Sequence, residues 1–298
     1  MTKPTFEPTP TGITERELTV NGITSSCWEI GDGEPLVLVH GGGPGADGLV
    51  NWYAVMPLLA RAGFRVIAVN MLGYGLANHP APGSNTYPAA GFRYDVDSRI
   101  RHLLAQLDAL GIDRACLVGN SMGGTSVLGA CARAPQRVRR LVLMGSGGIP
   151  TPPGNKLKTA ATRYQPTYEG MAEVARMMNN GFDVPDMDTI IRYRFEISSD
   201  ELNSMAREAT MAIARDDPDA IHLLDEDVIR SIKTETLIVQ GRDDLIFPPD
   251  TGLRFHQLLD NSWLSSLPRC GHWAMLQYPR VFTELCTWFL TSDTLTAA

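Results

Sequence analysis

The segment Gly119-Asn120-Ser121-Met122-Gly123-Gly124 follows an apolar run and precedes small and aliphatic residues. Its density of glycine suits neither a strand nor a helix interior. A G-x-S-x-G pattern at a strand-to-helix turn is a nucleophile elbow, in which glycines relieve crowding around a strained serine whose hydroxyl stands free. The pattern is common by chance, so Ser121 also needs a base and a group to orient that base. His272, in Cys270-Gly271-His272-Trp273, follows the short run Ser262–Leu267 and precedes a terminal helical pattern. That sets it on a loop at a strand's carboxyl end and makes it the expected base. His102 and His256 fall on helical patterns and are expected at the surface, while His79 and His222 carry no motif. The acid is expected just past Gly241, where Asp243 and Asp244 both stand, one to bind the imidazole and the other exposed.

A serine nucleophile generates an oxyanion, which preorganised backbone N–H groups stabilise most economically. The glycine-dense loop His40-Gly41-Gly42-Gly43-Pro44-Gly45 can approach a substrate closely, and Met122 opens a helix with a free N–H. A phosphate-binding reading of that loop lacks the lysine of G-x-x-x-x-G-K-[ST] and the G-x-G-x-x-G spacing.

These groups need a scaffold that brings strand ends together. Short, nearly continuous apolar runs end at His40, Asn70, Asn120, Gly145 and Gly241, the pattern of strands buried on both faces of a parallel sheet. Ile100, Leu103, Leu104, Leu107 and Leu110 recur at helical spacing before Gly111, which predicts a crossover helix with a glycine C-cap. Two alternating segments before residue 34 predict a lead-in hairpin. From about Gly147 to Arg230 the pattern turns helical after a proline- and glycine-rich stretch. The chain therefore reads as an α/β fold with a core in two parts, 1–146 and 231–298, and a helical lid at 147–230.

The 298 residues leave room for one domain or two, and the formal net charge of −7 argues against a nucleic-acid partner. Five cysteines, far apart and odd in number, read as reduced thiols, with Cys270 alone near the expected chemistry. No run approaches the roughly 20 apolar residues of a membrane span, and the first residues lack the apolar core of a signal peptide. A soluble, cytoplasmic protein acting on a small molecule is expected.

Together these segments resemble the α/β-hydrolases, whose triad order Ser, Asp, His is the order found here. More narrowly they are similar to the meta-cleavage product hydrolases of aromatic-degradation pathways. The resemblance is carried by His40–Ala46, Gly119–Gly124, Leu141–Gly148, Gly241–Asp244 and Cys270–Met275, in family order across nearly the whole chain. It implies a mostly parallel, eight-stranded sheet with the lid inserted after the sixth strand. It also implies Ser121 as nucleophile, His272 as base, Asp244 as acid with Pro248 four residues on, and Gly42 and Met122 as oxyanion donors. Gly41, Gly43, Asn51, Asn120 and Trp273 match positions that hold a dienoate. A lid arginine followed by an aromatic residue is also implied. Arg192 is preferred over Arg194 from its spacing after Asn179–Phe182 and its pairing with Tyr193. Leu245, Ile246 and Phe247 replace an arginine-containing family segment and are expected to shape the far pocket. The implied activity is hydrolysis of a carbon–carbon bond in an aryl- or alkyl-substituted 2-hydroxy-6-oxohexa-2,4-dienoate, without metal or organic cofactor, by a homo-oligomer of two or more chains. A carboxylesterase with the same triad and a ligand-binding receptor on this scaffold are the alternatives.

Overall fold

The computed structural model describes residues 4–75, 93–150 and 164–293. Eight strands form one sheet: β1 (Thr14–Val20), β2 (Ile23–Ile30), β3 (Glu34–Val39), β4 (Phe64–Val69), β5 (Ala115–Asn120), β6 (Val138–Met144), β7 (Thr236–Gly241) and β8 (Ser262–Leu267). Their spatial order is β1-β2-β4-β3-β5-β6-β7-β8. The β1–β2 and β2–β4 pairs are antiparallel, and every later pair is parallel. Each apolar run singled out in the sequence is one of the parallel strands, and the first two strands are the expected hairpin.

The helices are α1 (Gly48–Trp52) and α2 (Met56–Arg61) between β3 and β4, α3 (Val96–Ala109) before β5, and α4 (Met122–Arg133) before β6. Between β6 and β7 come α5 (Tyr168–Met178), α6 (Met187–Ser198), α7 (Glu201–Asp216) and α8 (Glu226–Ser231). α9 (Pro249–Leu258) joins β7 to β8, and α10 (Ala274–Gln277) and α11 (Pro279–Thr291) close the fold.

Strand alternation divides the core. Leu36 and Leu38 of β3 pack into one apolar cluster, and Val37 and Val39 into the cluster on the opposite face. On α3 the buried residues include Ile100, Leu103 and Leu107, the stripe expected from their spacing, and Asp95 caps its start by accepting the Ser98 N–H. Gly111 follows with φ +67°, the left-handed cap that its position predicted. His102 departs from expectation: it is buried, because α3 packs against both α4 and β1 and its covered arc is wide. His256 is exposed, and His79 lies outside the described residues. No helix among the described residues is long and apolar enough to cross a membrane.

Candidate active site

The parallel strands end together, and the loops leaving β3, β5, β7 and β8 carry the candidate residues. Ser121, immediately after β5, has φ 56° and ψ −121°, a conformation costly for a residue with a side chain. The turn is held from below by the Ser121 N–H donating to the Met144 carbonyl at 3.1 Å, and by the Ser121 carbonyl accepting from Gly124 and Gly147 at 2.9 Å each. It also demands glycine next door. A Cβ on Gly123 would lie 2.3 Å from the Val39 carbonyl oxygen and 2.4 Å from that of His40, both backbone atoms that cannot move aside.

Asp244, on the loop after β7, accepts at Oδ1 from the N–H groups of Ile246 (2.8 Å) and Phe247 (3.0 Å). Its Oδ2 lies 2.8 Å from His272 Nδ1, with both side chains buried. A carboxylate accepting two backbone donors is fixed in orientation. Nδ1 is therefore the protonated nitrogen of His272, and Nε2 is left free as a base. Asp243 instead lies beside Arg242, with Oδ2 3.4 Å from the guanidinium, so of the two aspartates it is Asp244 that meets the imidazole. Gly145 makes this approach possible: with φ +49°, its Cβ would stand 3.0 Å from both Asp244 Oδ2 and His272 Nδ1. The helical insertion also reaches the pair, because the His272 N–H donates to the carbonyl of Met178, the last residue of α5, at 2.7 Å.

On the loop after β3, His40 is fully buried. Its Nε2 accepts the Met71 N–H at 3.0 Å, so its proton sits on Nδ1 and is donated to the Gly41 carbonyl at 2.7 Å. Burial lowers its pKa to about 4, aided by the Arg194 charge and opposed by the bond to Gly41. This neutral ring holds the start of the Gly41–Gly43 loop. The N–H groups of Gly42 and Met122 donate to no backbone carbonyl among the described residues, which leaves both for an oxyanion. The position of Gly42 is set against the Met122 side chain, 2.8 Å from where its Cβ would be.

A chain of buried amides runs behind this loop. Arg194 Nη1 donates to Asn51 Oδ1 (3.3 Å), Asn51 Nδ2 to Asn120 Oδ1 (3.2 Å), and Asn120 Nδ2 to the Met144 carbonyl (3.0 Å). The Arg194 guanidinium lies over the Trp273 ring, 5.1 Å from its centre. Here the structure corrects the sequence: Arg192 is exposed on the outside of α6, whereas Arg194 is buried at the site. Two residues turn a helix by about 200°, so both cannot face inward. The stripe Ile190, Ile191, Arg194, Ile197 marks the inner face. Burial draws the Arg194 pKa down to about 10, against the pull of Asp47, and the group stays charged at neutral pH. Among the described residues it forms no ion pair, an expensive arrangement for a buried charge unless a ligand supplies the anion.

Beside Ser121 lies a cavity of about 340 Å³, walled by Gly42, Gly43, Met122, Val174, Ile246 and Phe247 among others. Of the three residues expected to shape the far pocket, Ile246 and Phe247 line it and Leu245 does not. Gly41, Asn51, Asn120, Arg194 and Trp273 form the layer behind its wall and do not face the open space. Arg194 is closest to it at Gly43, whose Cβ would lie 3.4 Å from the guanidinium. Cys270 is fully buried, and burial beside Asp244 and Asp243 pushes its thiol up to about 12, so it is a packing residue without nucleophilic character.

The α/β-hydrolase fold family matches residues 34–279. Over 96% of its length the chain is 36% identical to a 2-hydroxy-6-oxo-6-(2'-aminophenyl)hexa-2,4-dienoic acid hydrolase of Metapseudomonas resinovorans, of which 93% is covered. The chain belongs to the meta-cleavage product hydrolases. A 2-hydroxy-6-oxo-2,4-heptadienoate hydrolase of Pseudomonas putida is 38% identical over 93% of this chain and 96% of the relative. The solved structure of a serine hydrolase involved in carbazole degradation superposes with a TM-score of 0.81 at 36% identity, covering 94% of this chain and 99% of that one. As a member of this family the chain is a hydrolase.

Sequence reasoning gives His40 and Asp47 no role, and takes Tyr193 only as the aromatic neighbour of Arg192. Asp47 caps α1 by accepting the Val50 N–H at 2.7 Å, and its other oxygen accepts from the Tyr193 hydroxyl at 2.8 Å. An aspartate before Gly48-Leu49-Val50 is a legible cap. Its bond to Tyr193 has no sequence signal.

Proposed function

We propose that the chain hydrolyses the carbon–carbon bond between C5 and C6 of a 2-hydroxy-6-oxohexa-2,4-dienoate carrying an aryl or alkyl group at C6. Ser121, His272 and Asp244 act as the triad of the core, 1–146 and 231–298, beneath a lid at 147–230. A carbon leaving group needs an electron sink, which the dienol gains by first becoming the keto tautomer, with His272 assisting the proton transfer. Ser121 Oγ then attacks C6 while His272 Nε2 takes its proton, and the oxyanion falls to the N–H groups of Gly42 and Met122. As the tetrahedral species collapses, the C5–C6 electron pair enters the conjugated system, and the proton held by His272 completes the 2-hydroxypenta-2,4-dienoate. Water activated by His272 hydrolyses the acyl-serine to a carboxylic acid, with Asp244 orienting the ring throughout.

The observation that carries this reading over a carboxylesterase is the buried Arg194, without an ion pair among the described residues and tied through Asn51 to Asn120, the strand end that precedes Ser121. A planar guanidinium pairs bidentately with a carboxylate, which the dienoate has and a simple ester lacks. Arg194 packs directly behind Gly43, which lines the cavity, so its charge reaches a substrate carboxylate across a residue without a side chain. The test is loss of the visible dienolate absorbance with substrates carrying methyl, isopropyl, phenyl or aminophenyl at C6. Rapid bleaching is expected for at least one, lowered at least about 10⁴-fold by Ser121→Ala. Turnover of aryl esters with no bleaching would establish the esterase instead.

A further inference from the structure

On α7 the residues Arg207, Thr210, Met211 and Ala214 follow one another at i, i+3, i+4 and i+7, and all four line the cavity beside Ser121. An amphipathic helix normally fills such a stripe with apolar side chains, and Met211 and Ala214 obey that rule. Arg207 does not. It is half-buried, with its guanidinium 5.5 Å from the centre of the Tyr164 ring, and it forms no ion pair among the described residues. Tyr164 is itself held, with its hydroxyl 2.8 Å from that of Ser198, so the ring under the cation is fixed.

The rest of the wall has the same bias. Among the described residues Arg207 and Arg215 are its charged side chains and no aspartate or glutamate lines it, although the chain as a whole carries a net charge of −7. His222 adds a ring whose Nδ1 is buried without a partner among the described residues and whose pKa is lowered, chiefly by burial. A cavity lined by one sign of charge concentrates ligands of the other sign. One substrate carboxylate is already accounted for by Arg194 in the reading above, and Arg207 belongs to a different helix and lines the cavity itself, whereas Arg194 lies behind Gly43.

We propose, resting on that reading, that Arg207 recognises a second anionic group, so that the preferred substrates bear a carboxylate on the C6 substituent and release a dicarboxylic acid. The second carboxylate pairs with a guanidinium that no carboxylate among the described residues neutralises, and Tyr164 keeps the fork presented to the cavity.

The experiment compares two dienoates of nearly equal size, one with propyl and one with 2-carboxyethyl at C6, whose products are butyrate and succinate. Wild-type protein is expected to favour the carboxyethyl substrate. Arg207→Gln is expected to raise its KM about tenfold or more while leaving the propyl KM within about twofold, and Arg207→Lys to recover part of the loss. Equal increases for both substrates would assign Arg207 to the dienoate carboxylate, and no change for either would make it a surface cation; both results overturn the proposal. If neither substrate is bleached, the carbon–carbon hydrolase reading is what fails. Calorimetry of succinate against butyrate on wild-type protein and Arg207→Gln then decides the proposal by itself. A succinate preference lost in the variant supports it, and the lack of any preference overturns it.

Discussion

The two halves of the site are built differently. In the sheet-borne half, Ser121, Asp244, His272 and His40 sit within a residue or a few of strand ends, and backbone groups hold them: two N–H donors on Asp244, the Met144 carbonyl on Ser121, the Met71 N–H on His40. In the lid-borne half, Arg194 and Arg207 project from mid-helix and rest on aromatic faces and one amide. Groups fixed by backbone donors have one geometry, as charge development in a transition state requires. Long cationic side chains on helices can follow a substrate and set which one is admitted. In the proposed function chemistry belongs to the sheet and selection to the helical insertion, and each prediction below loads one half and not the other.

The largest effect is expected in the sheet-borne half, as a dependence of stability on pH. His40 is buried neutral, with its pKa lowered from 6.5 to about 4. Between those values the unfolded chain binds a proton that the folded chain does not, so this contribution is complete above pH 6.5 and is lost as pH falls towards 4. The loss amounts to about 3 kcal/mol from this residue alone. Denaturant titrations from pH 7 to 4 should therefore show a steeper decline for wild-type protein than for His40→Gln, which has no proton to gain. Parallel declines would mean that His40 does not carry the acid sensitivity.

Next in size is the lid arginine. Arg194→Gln is expected to raise KM for the dienoate about 10²-fold, the cost of losing a charge-assisted pair, while Arg192→Gln stays within about twofold. With a neutral aryl ester neither variant should move KM by more than about threefold. If Arg192→Gln had the larger effect on the dienoate, the helical face assigned to Arg194 would be wrong.

The same contrast explains what could be read without coordinates. The strands were legible because residues buried on both faces leave unbroken apolar runs, and the catalytic candidates because glycine marks the turns that follow, at Gly119–Gly124 and Gly271. The choice between Asp243 and Asp244 was open on the residues alone, since either could turn inward after β7. Both lid arginines are legible as candidates; spacing from a motif ranks Arg192 first, whereas the inward stripe of the helix, Ile190, Ile191, Arg194, Ile197, is what brings Arg194 to the site. His102 lies buried and not at the surface because a helix covered on two sides buries more than one stripe. The bonds from His272 to Met178 and from Tyr193 to Asp47 join residues far apart in the chain, and no local pattern records them.

The smallest effect tests whether those long-range bonds matter to selection. Tyr193 precedes Arg194, and its hydroxyl is bound to Asp47, the cap of the helix that carries Asn51, the partner of Arg194. Asp47 thus ties the guanidinium and its amide to one carboxylate. Burial and the Asp47 charge hold the Tyr193 hydroxyl protonated, so it acts as donor at any working pH. Tyr193→Phe removes that donor and keeps the ring, which packs against Phe6. It should cost about 1–3 kcal/mol of stability, because a buried carboxylate oxygen loses a partner. Dienoate KM should rise about fivefold with kcat within about twofold, the pattern of lost binding shared by ground and transition states. A fall in kcat at unchanged KM would instead show that loosening the lid disturbs the triad, through the Met178 carbonyl on the His272 N–H, and that the two halves are mechanically one.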